Sequence, residues 1–162
     1  MILYLRESMS KILYRKAKLS DIAQMQELVT PEVDSGVILL RSDDELATNI
    51  RSYMVAILDE QIVAFNALHI HSPKLAEVRS LIVSEKLRGQ GVGKKLIQLS
   101  QEEGLSLGLK EILVLTYQQS FFEALGFVEI SKESIPEHKI WADCIKCKHF
   151  PVCNEVSLIK HL

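Results

Sequence analysis

The residue pattern predicts an α/β (α+β) fold built on one mixed central sheet. Three observations predict it. Strand-like and helix-like segments follow one another in the order β-α-α-β-β-β-α-β-α-β. A glycine-rich loop, Arg88-Gly89-Gln90-Gly91-Val92-Gly93-Lys94, separates a strand pattern from a helical one. Ile112–Leu115 is wholly apolar, as a buried central strand should be.

Ile12 to Ala17 carries apolar Ile12 and Tyr14 and reads as the first strand. Ser20 and Asp21 supply a cap and an acidic first turn. Ile22, Met25, Leu28 and Val29 follow at helical spacing, and Pro31 is expected to end that helix. Ser42-Asp43-Asp44-Glu45 is a capping box, with Leu46 and Ile50 as the inner stripe of a short second helix. Tyr53–Leu58 and Ile62–Ile70, joined at Asp59-Glu60, read as a hairpin. Leu75–Val83 reads as the next strand, after a bend at Ser72-Pro73. Behind the glycine loop, Val92, Leu96, Leu99 and Leu105 form a helical stripe that Gly104 and Gly108 are expected to break. Phe121, Phe122 and Leu125 make a short helix ended by Gly126, and Phe127–Ile130 is the last strand. Residues 133–162 read as an irregular, cysteine-bearing tail.

The 162 residues suffice for one domain, placed at 11–162, behind a poorly ordered leader at 1–10 in which Met9 is an alternative start. With 48% apolar and 25% charged residues, the chain can bury a core, which excludes intrinsic disorder. Lys+Arg number 19 against 21 Asp+Glu, so the net charge is −2. That balance gives no footprint for nucleic acid or an anionic membrane. No apolar run approaches a membrane span, and the N-terminus lacks the order of a secretory signal, so a cytoplasmic location is expected. Homodimerisation is left open. The three cysteines cannot complete a disulfide set. Cys144-x-x-Cys147, with His149 and Cys153, has spacing found in zinc sites. Three reduced thiols packed against the sheet are the alternative, and no metal is assigned.

The glycine loop is the most informative feature. At a helix N-terminus, unpaired amides and partial positive charge suit an anion. Arg88 and Lys94 add full charges beside it. The spacing fits neither G-x-G-x-x-G at a first strand-to-helix turn nor a P-loop, because Lys94 is followed by Lys95. Arg88-x-x-Gly91-x-Gly93 instead resembles the acetyl-CoA pyrophosphate loop of the GCN5-related N-acetyltransferases (GNAT). Leu81-Ile82-Val83-Ser84-Glu85 ahead of it, and Phe121-Phe122-Glu123-Ala124-Leu125-Gly126-Phe127 behind it, resemble the flanking elements of that family. The resemblance spans roughly residues 11–132. It implies a mixed sheet of about six to seven strands, splayed between the fourth and fifth, with about four helices.

Further segments resemble the acetyltransferase domain of amino-acid N-acetyltransferases, the N-acetylglutamate synthases among them. These are Arg15-Lys16-Ala17, Leu39-Leu40-Arg41-Ser42, Ala76-Glu77-Val78-Arg79-Ser80-Leu81, Leu115-Thr116-Tyr117-Gln118 and Lys139 to Cys147. Many relatives carry a kinase-like domain in front; this chain resembles the short, stand-alone form.

The resemblance implies transfer of acetyl from acetyl-CoA to the amine of a small amino acid, first of all L-glutamate, for arginine biosynthesis. Gly89 to Lys94, with Arg88, would hold the pyrophosphate. The backbone of Leu81, Ile82 and Val83 would pair with pantetheine, with an amide near Ile82 as oxyanion donor. Phe121 and Phe122 would wall the cofactor. Many relatives have a proton-donating Tyr where this chain has Phe122, so Tyr117 becomes the candidate acid. Glu77 is the candidate base. By period two, Glu77, Arg79 and Leu81 are expected on one face. Arg41, Arg79 and Ser80 would read the substrate carboxylate, since bidentate pairing to Arg is the strong way to hold one. His69 and His71 could add polar contacts. Two other readings stay open: another small amine as acceptor, and an acetyl-CoA-binding sensor without turnover.

Overall fold

The computed structural model describes residues 11–135 and 155–162. The leader at 1–10 and the cluster of Cys144, Cys147, His149 and Cys153 lie outside the described residues. Among the described residues, no group of His, Cys, Asp or Glu could hold a metal ion. No helix among them is long and apolar enough to cross a membrane.

The elements are β1 (Leu13–Lys16), α1 (Ile22–Asp34), α2 (Asp43–Thr48), β2 (Tyr53–Leu58), β3 (Gln61–Ile70), β4 (Leu75–Val83), α3 (Val92–Leu107), β5 (Glu111–Thr116), α4 (Gln119–Ala124), β6 (Val128–Ile130) and β7 (Val156–His161). The seven strands form one sheet in the order β1-β2-β3-β4-β5-β7-β6. β4 and β5 run parallel, and the other neighbours are antiparallel.

Asp59 and Glu60 have φ of 49° and 65°, so the β2–β3 hairpin closes on two left-handed residues. That turn matches the right-handed twist of the strands. α1 and α2 cover one face of the sheet, where Met25, Val29 and Leu46 meet Tyr53, Val55, Phe65 and Ile82. α3 and α4 cover the other, where Ile97 and Phe122 meet Leu68, Val78, Ile112, Val114 and Leu158.

Four expectations about the bounds of elements change. α1 continues through Pro31 to Asp34. Proline removes one N–H, but Ser35 still donates to the Pro31 carbonyl and the turn carries on. Ser20 lies inside a 3₁₀ turn, Leu19–Asp21, rather than capping α1. The Asp21 carboxylate turns back to Arg15 (2.7 and 2.9 Å) and to the Lys18 amide (2.7 Å). Gly104 stays within α3 rather than ending it; it is glycine there for packing, since an added Cβ would meet Leu162 at 3.1 Å and Leu109 at 3.5 Å. Finally, the tail is not irregular at its end. β7 inserts between β5 and β6, pairing Leu115 with Ser157 and Ile130 with Ser157.

β4 positions the site. Opposite it, Phe65 pairs with Ile82 and Ala67 with Arg79, so Asn66 alone faces both Ser80 and Leu81. This is a β-bulge, and Ser80 takes φ 57° in it. The bulge corrects the period-two expectation. Arg79 and Ile82 share the face of Glu77, while Leu81 turns to the α3 side with Val83. β4–β5 pairing runs from Leu75/Glu111 to Val78/Val114 and stops. Beyond it β4 stays with β3, and Leu115 and Thr116 of β5 stay with β7. The two strands part as a V.

Candidate active site

The V opens into a cleft of about 750 Å³. That falls in the size range of small-molecule sites, roughly 300–1,000 Å³. Its wall brings together Arg41, Glu77, Arg79, Ser80, Leu81, Ile82, Val83, Arg88, Gly89, Gly91, Val92, Gly93, Lys94, Tyr117, Phe121 and Phe122. Gln90 is not on the wall; its side-chain amide turns back to the Lys86 carbonyl at 3.2 Å.

At one end sits the start of α3. Gly91 is its N-cap at φ 84°, and Gly89 has φ 78°. An added Cβ at either would meet nothing within 4 Å, so both leave space on the cleft side. Lys95 is the first helical residue to donate back, to the Gly91 carbonyl at 3.0 Å. The amides before it point out of the helix toward whatever lies at its N-terminus. Gly93 is held for a different reason: its Cβ position is 3.5 Å from both Phe121 and Val83. Arg88 is pinned beside the loop, donating to the Val83 carbonyl (3.2 Å) and to Glu32 of α1 (3.1 Å).

The middle of the cleft is the splayed edge. Arg79–Val83 have no β5 ladder, so backbone groups of β4 border the opening. Phe121 stands opposite, and its ring meets Phe122 edge-on at 5.0 Å. Phe122 in turn meets Phe127 at 5.3 Å and is buried. Tyr117 follows β5, is 39% exposed and lines the cleft.

The other end carries charge. Glu77 is nearly fully buried and its Oε1 lies 2.9 Å from His71 Nε2. Arg79 Nη2 donates to His69 Nδ1 at 3.0 Å. Arg41 sits on the loop ahead of α2, 3.9 Å from Glu45. That loop is held by Gln26, whose amide donates to the Arg41 carbonyl (2.8 Å) and to Asp43 (3.0 Å). Ser42 caps α2 by accepting from the Glu45 amide at 3.1 Å. Ser80, with φ 57°, borders the same space. Strain of this kind costs on the order of 1–3 kcal/mol and is a feature of functional sites.

Two charged wall residues stand outside the sequence expectations, Glu32 and Glu155. Glu32 carried no signal beyond being a helical acid. Glu155 directly precedes β7, a strand with no sequence signal of its own. The contacts of His69 and His71 had a faint signal: an H-x-H alternation ends one hairpin strand, and E-x-R sits in the next.

Residues 49–129 match the family model described as an acetyltransferase (GNAT) domain. The chain is 34% identical over 148 residues to an uncharacterised N-acetyltransferase of Chlorobaculum tepidum, covering 91% of this chain and 95% of that protein. It is 28% identical to the amino-acid acetyltransferase of Buchnera aphidicola, over 94% of this chain but only 34% of that protein. Among solved structures it resembles an N-acetylglutamate synthase from Neisseria gonorrhoeae, complexed with coenzyme A and N-acetyl-glutamate. The TM-score is 0.84 at 21% identity, over 94% of this chain and 35% of that one. At that identity the likeness speaks to the fold.

Proposed function

The chain belongs to the acetyltransferase (GNAT) family, and we propose that it moves the acetyl group of acetyl-CoA to the amine of a small amino acid, L-glutamate foremost. The observation that carries this reading is one cleft with an anion cradle at one end and Glu77, Arg79 and Arg41 at the other. Relatives named for amino-acid acetylation support it. A cytoplasmic place, and a role in arginine biosynthesis, belong to the same proposal.

The cradle fits a pyrophosphate. The space beside Gly89 and Gly91 is the space a side chain would take, and Lys94 and Arg88 flank it. The backbone of Leu81 to Val83 suits pantetheine, because an unladdered strand edge can add a ligand as it would a strand. Acetyl-CoA, when bound, supplies an activated acyl group. The rest is done by this chain. An amide near Ile82 holds and polarises the acyl oxygen; such a donor is worth about 10²–10³ in rate. Glu77 takes the proton from the acceptor ammonium, a role worth roughly 10²–10⁴. Arg79 and Arg41 hold carboxylate. Tyr117 is the hydroxyl assigned to the leaving group, since Phe122 has none.

Phe122, which offers no hydroxyl and packs edge-on between Phe121 and Phe127, favours one other reading, a sensor that binds acetyl-CoA without turnover. Thiol release from acetyl-CoA across a panel of amino acids and polyamines separates the two. Turnover on an acidic amino acid is expected. CoA binding with no thiol release on any acceptor leaves the sensor.

A further inference from the structure

Behind the cleft lies a layer of side chains that the roles above do not use. β3 ends at Ile70, and the chain turns at once, with the His71 amide donating to the Leu75 carbonyl at 2.9 Å. His69 pairs across with Glu77, and Ala67 with Arg79. Residues two apart share a face, so His69 and His71 stand on the face of Glu77 and Arg79. The side chains then pair diagonally: His71 with Glu77 at 2.9 Å, His69 with Arg79 at 3.0 Å. Diagonal neighbours on adjacent strands are within reach of long side chains. The two rings meet edge-to-face at 4.9 Å. The side chains of His71 and Glu77 are each 2% exposed.

A guanidinium only donates, so His69 must accept at Nδ1 and carry its proton at Nε2. A carboxylate only accepts, so the bond from His71 is an Nε2–H donation to Oε1.

We propose that His71 is a positioning residue for the acceptor-activating base. Its Nε2–H holds Glu77 Oε1, which fixes the carboxylate plane and gives Oε2 the acceptor amine. This rests on the reading of Glu77 as the base. When the ammonium of the acceptor is deprotonated, its N–H bond breaks and the electron pair stays on nitrogen. The proton forms an O–H bond at Glu77 Oε2, and His71 keeps its own proton throughout. His71 touches neither acceptor nor thioester. Its effect is to keep a buried carboxylate both hydrogen-bonded and aimed, where an unpartnered one would be costly to ionise.

Charged and titratable groups reach the cleft that Glu77 borders from several elements. His69 and His71 stand at the end of β3 and Arg79 on β4, while Arg41 and Glu32 line the cleft from the α1–α2 side. Tyr117 and Glu155 line it from beside β5 and β7. Their charges are common to wild type and His71 variants, so a shift between those proteins reports the His71 contact.

The test compares His71→Ala, His71→Gln and His71→Asn with Glu77→Gln, on the best acceptor of the panel, from pH 5 to 9. Gln can place an N–H near the position of Nε2; Asn is too short. His71→Ala and His71→Asn should lose about tenfold in kcat with the KM for acetyl-CoA unchanged, and His71→Gln should recover most of it. Removing a donor from a carboxylate raises its pKa. The acid limb of kcat/KM should therefore move up by about one pH unit in the Ala and Asn variants, the size of one lost hydrogen bond to a charged group. Full kcat and an unmoved acid limb in folded His71→Ala, alongside an inactive Glu77→Gln, overturn the positioning role alone. Full activity in Glu77→Gln overturns the base itself. Should His71→Ala not fold, the Gln–Asn difference decides, since a merely structural histidine predicts no such split in kcat. Independently of turnover, ¹⁵N-histidine NMR of the wild-type protein should find the His71 proton on Nε2; a bare Nε2 with the proton on Nδ1 overturns the proposal.

Discussion

Gly91→Ala and Gly108→Ala make a matched pair. Both glycines are left-handed, at φ 84° and 85°, and in both an added Cβ meets nothing within 4 Å. They bound the same helix, Gly91 as N-cap and Gly108 as C-cap. An L residue in this conformation costs roughly 1–2 kcal/mol. For a chain of this length each kcal/mol lowers Tm by about 2–4 °C, so each variant should lose about 2–8 °C. Only Gly91 lines the cleft. The stability losses should therefore match while the ligand effects do not. Calorimetric titration with CoA should show Gly108→Ala binding like wild type. Gly91→Ala should bind more weakly, and Gly91→Trp, whose ring fills the cradle, should lose about tenfold or more, at least 1.4 kcal/mol. Undiminished CoA affinity in folded Gly91→Trp would refute the cradle. Equal losses at Gly91 and Gly108 would show that the effect is only helix damage.

Other outcomes follow from particular contacts. Arg41→Ala and Arg79→Ala should each weaken kcat/KM for glutamate by about 1.5–3 kcal/mol, one to two decades, with CoA affinity unchanged in calorimetry. Gln26→Ala frees the Arg41 carbonyl and Asp43 from their shared donor, so steady-state kinetics should show a higher acceptor KM at nearly constant kcat. Asp21→Asn tests stability away from the cleft. The hydrogen bond from Arg15 holds the Asp21 carboxyl below its ordinary range. A lowered folded pKa stabilises above the unfolded value, about pH 4, and that gain is lost as pH falls through the folded value. Thermal melts should show a constant deficit for Asp21→Asn above about pH 4 that narrows below it.

Most of the sheet was legible because its strands announce themselves locally. The hairpin and the apolar run of β5 follow from side-chain period alone. The stripe expected for α3 holds only in part: Val92 and Leu96 are buried, but with Ile97, Ser100 and Gly104, while Leu105 is exposed. The missed parts depend on tertiary partners. β7 pairs with strands more than twenty-five residues away, and nothing in Val156–His161 encodes that insertion. Pro31 reads as a stop, yet the helix outlasts the loss of one donor. At the cleft, the glycine loop was legible because its glycines answer to backbone geometry. The bulge was not: Ser80 at φ 57° violates the propensity of serine, and it reverses the face of Leu81. The same bulge accompanies the parting of β4 and β5, so the feature that shapes the cleft is the one a period-two reading gets wrong. Glu77 was visible as a strand acid, but its hold on His71 needed the register of β3 on β4.

The central claim is that one cleft binds acetyl-CoA and reads the carboxylate of an amine acceptor. Its most direct measurement is thiol release from acetyl-CoA with L-glutamate, against the same assay with the amine left after loss of its α-carboxylate. The account predicts turnover on the amino acid that exceeds turnover on the decarboxylated amine by one to two decades in kcat/KM, the loss of about one charge-assisted contact. Equal turnover on both would contradict it.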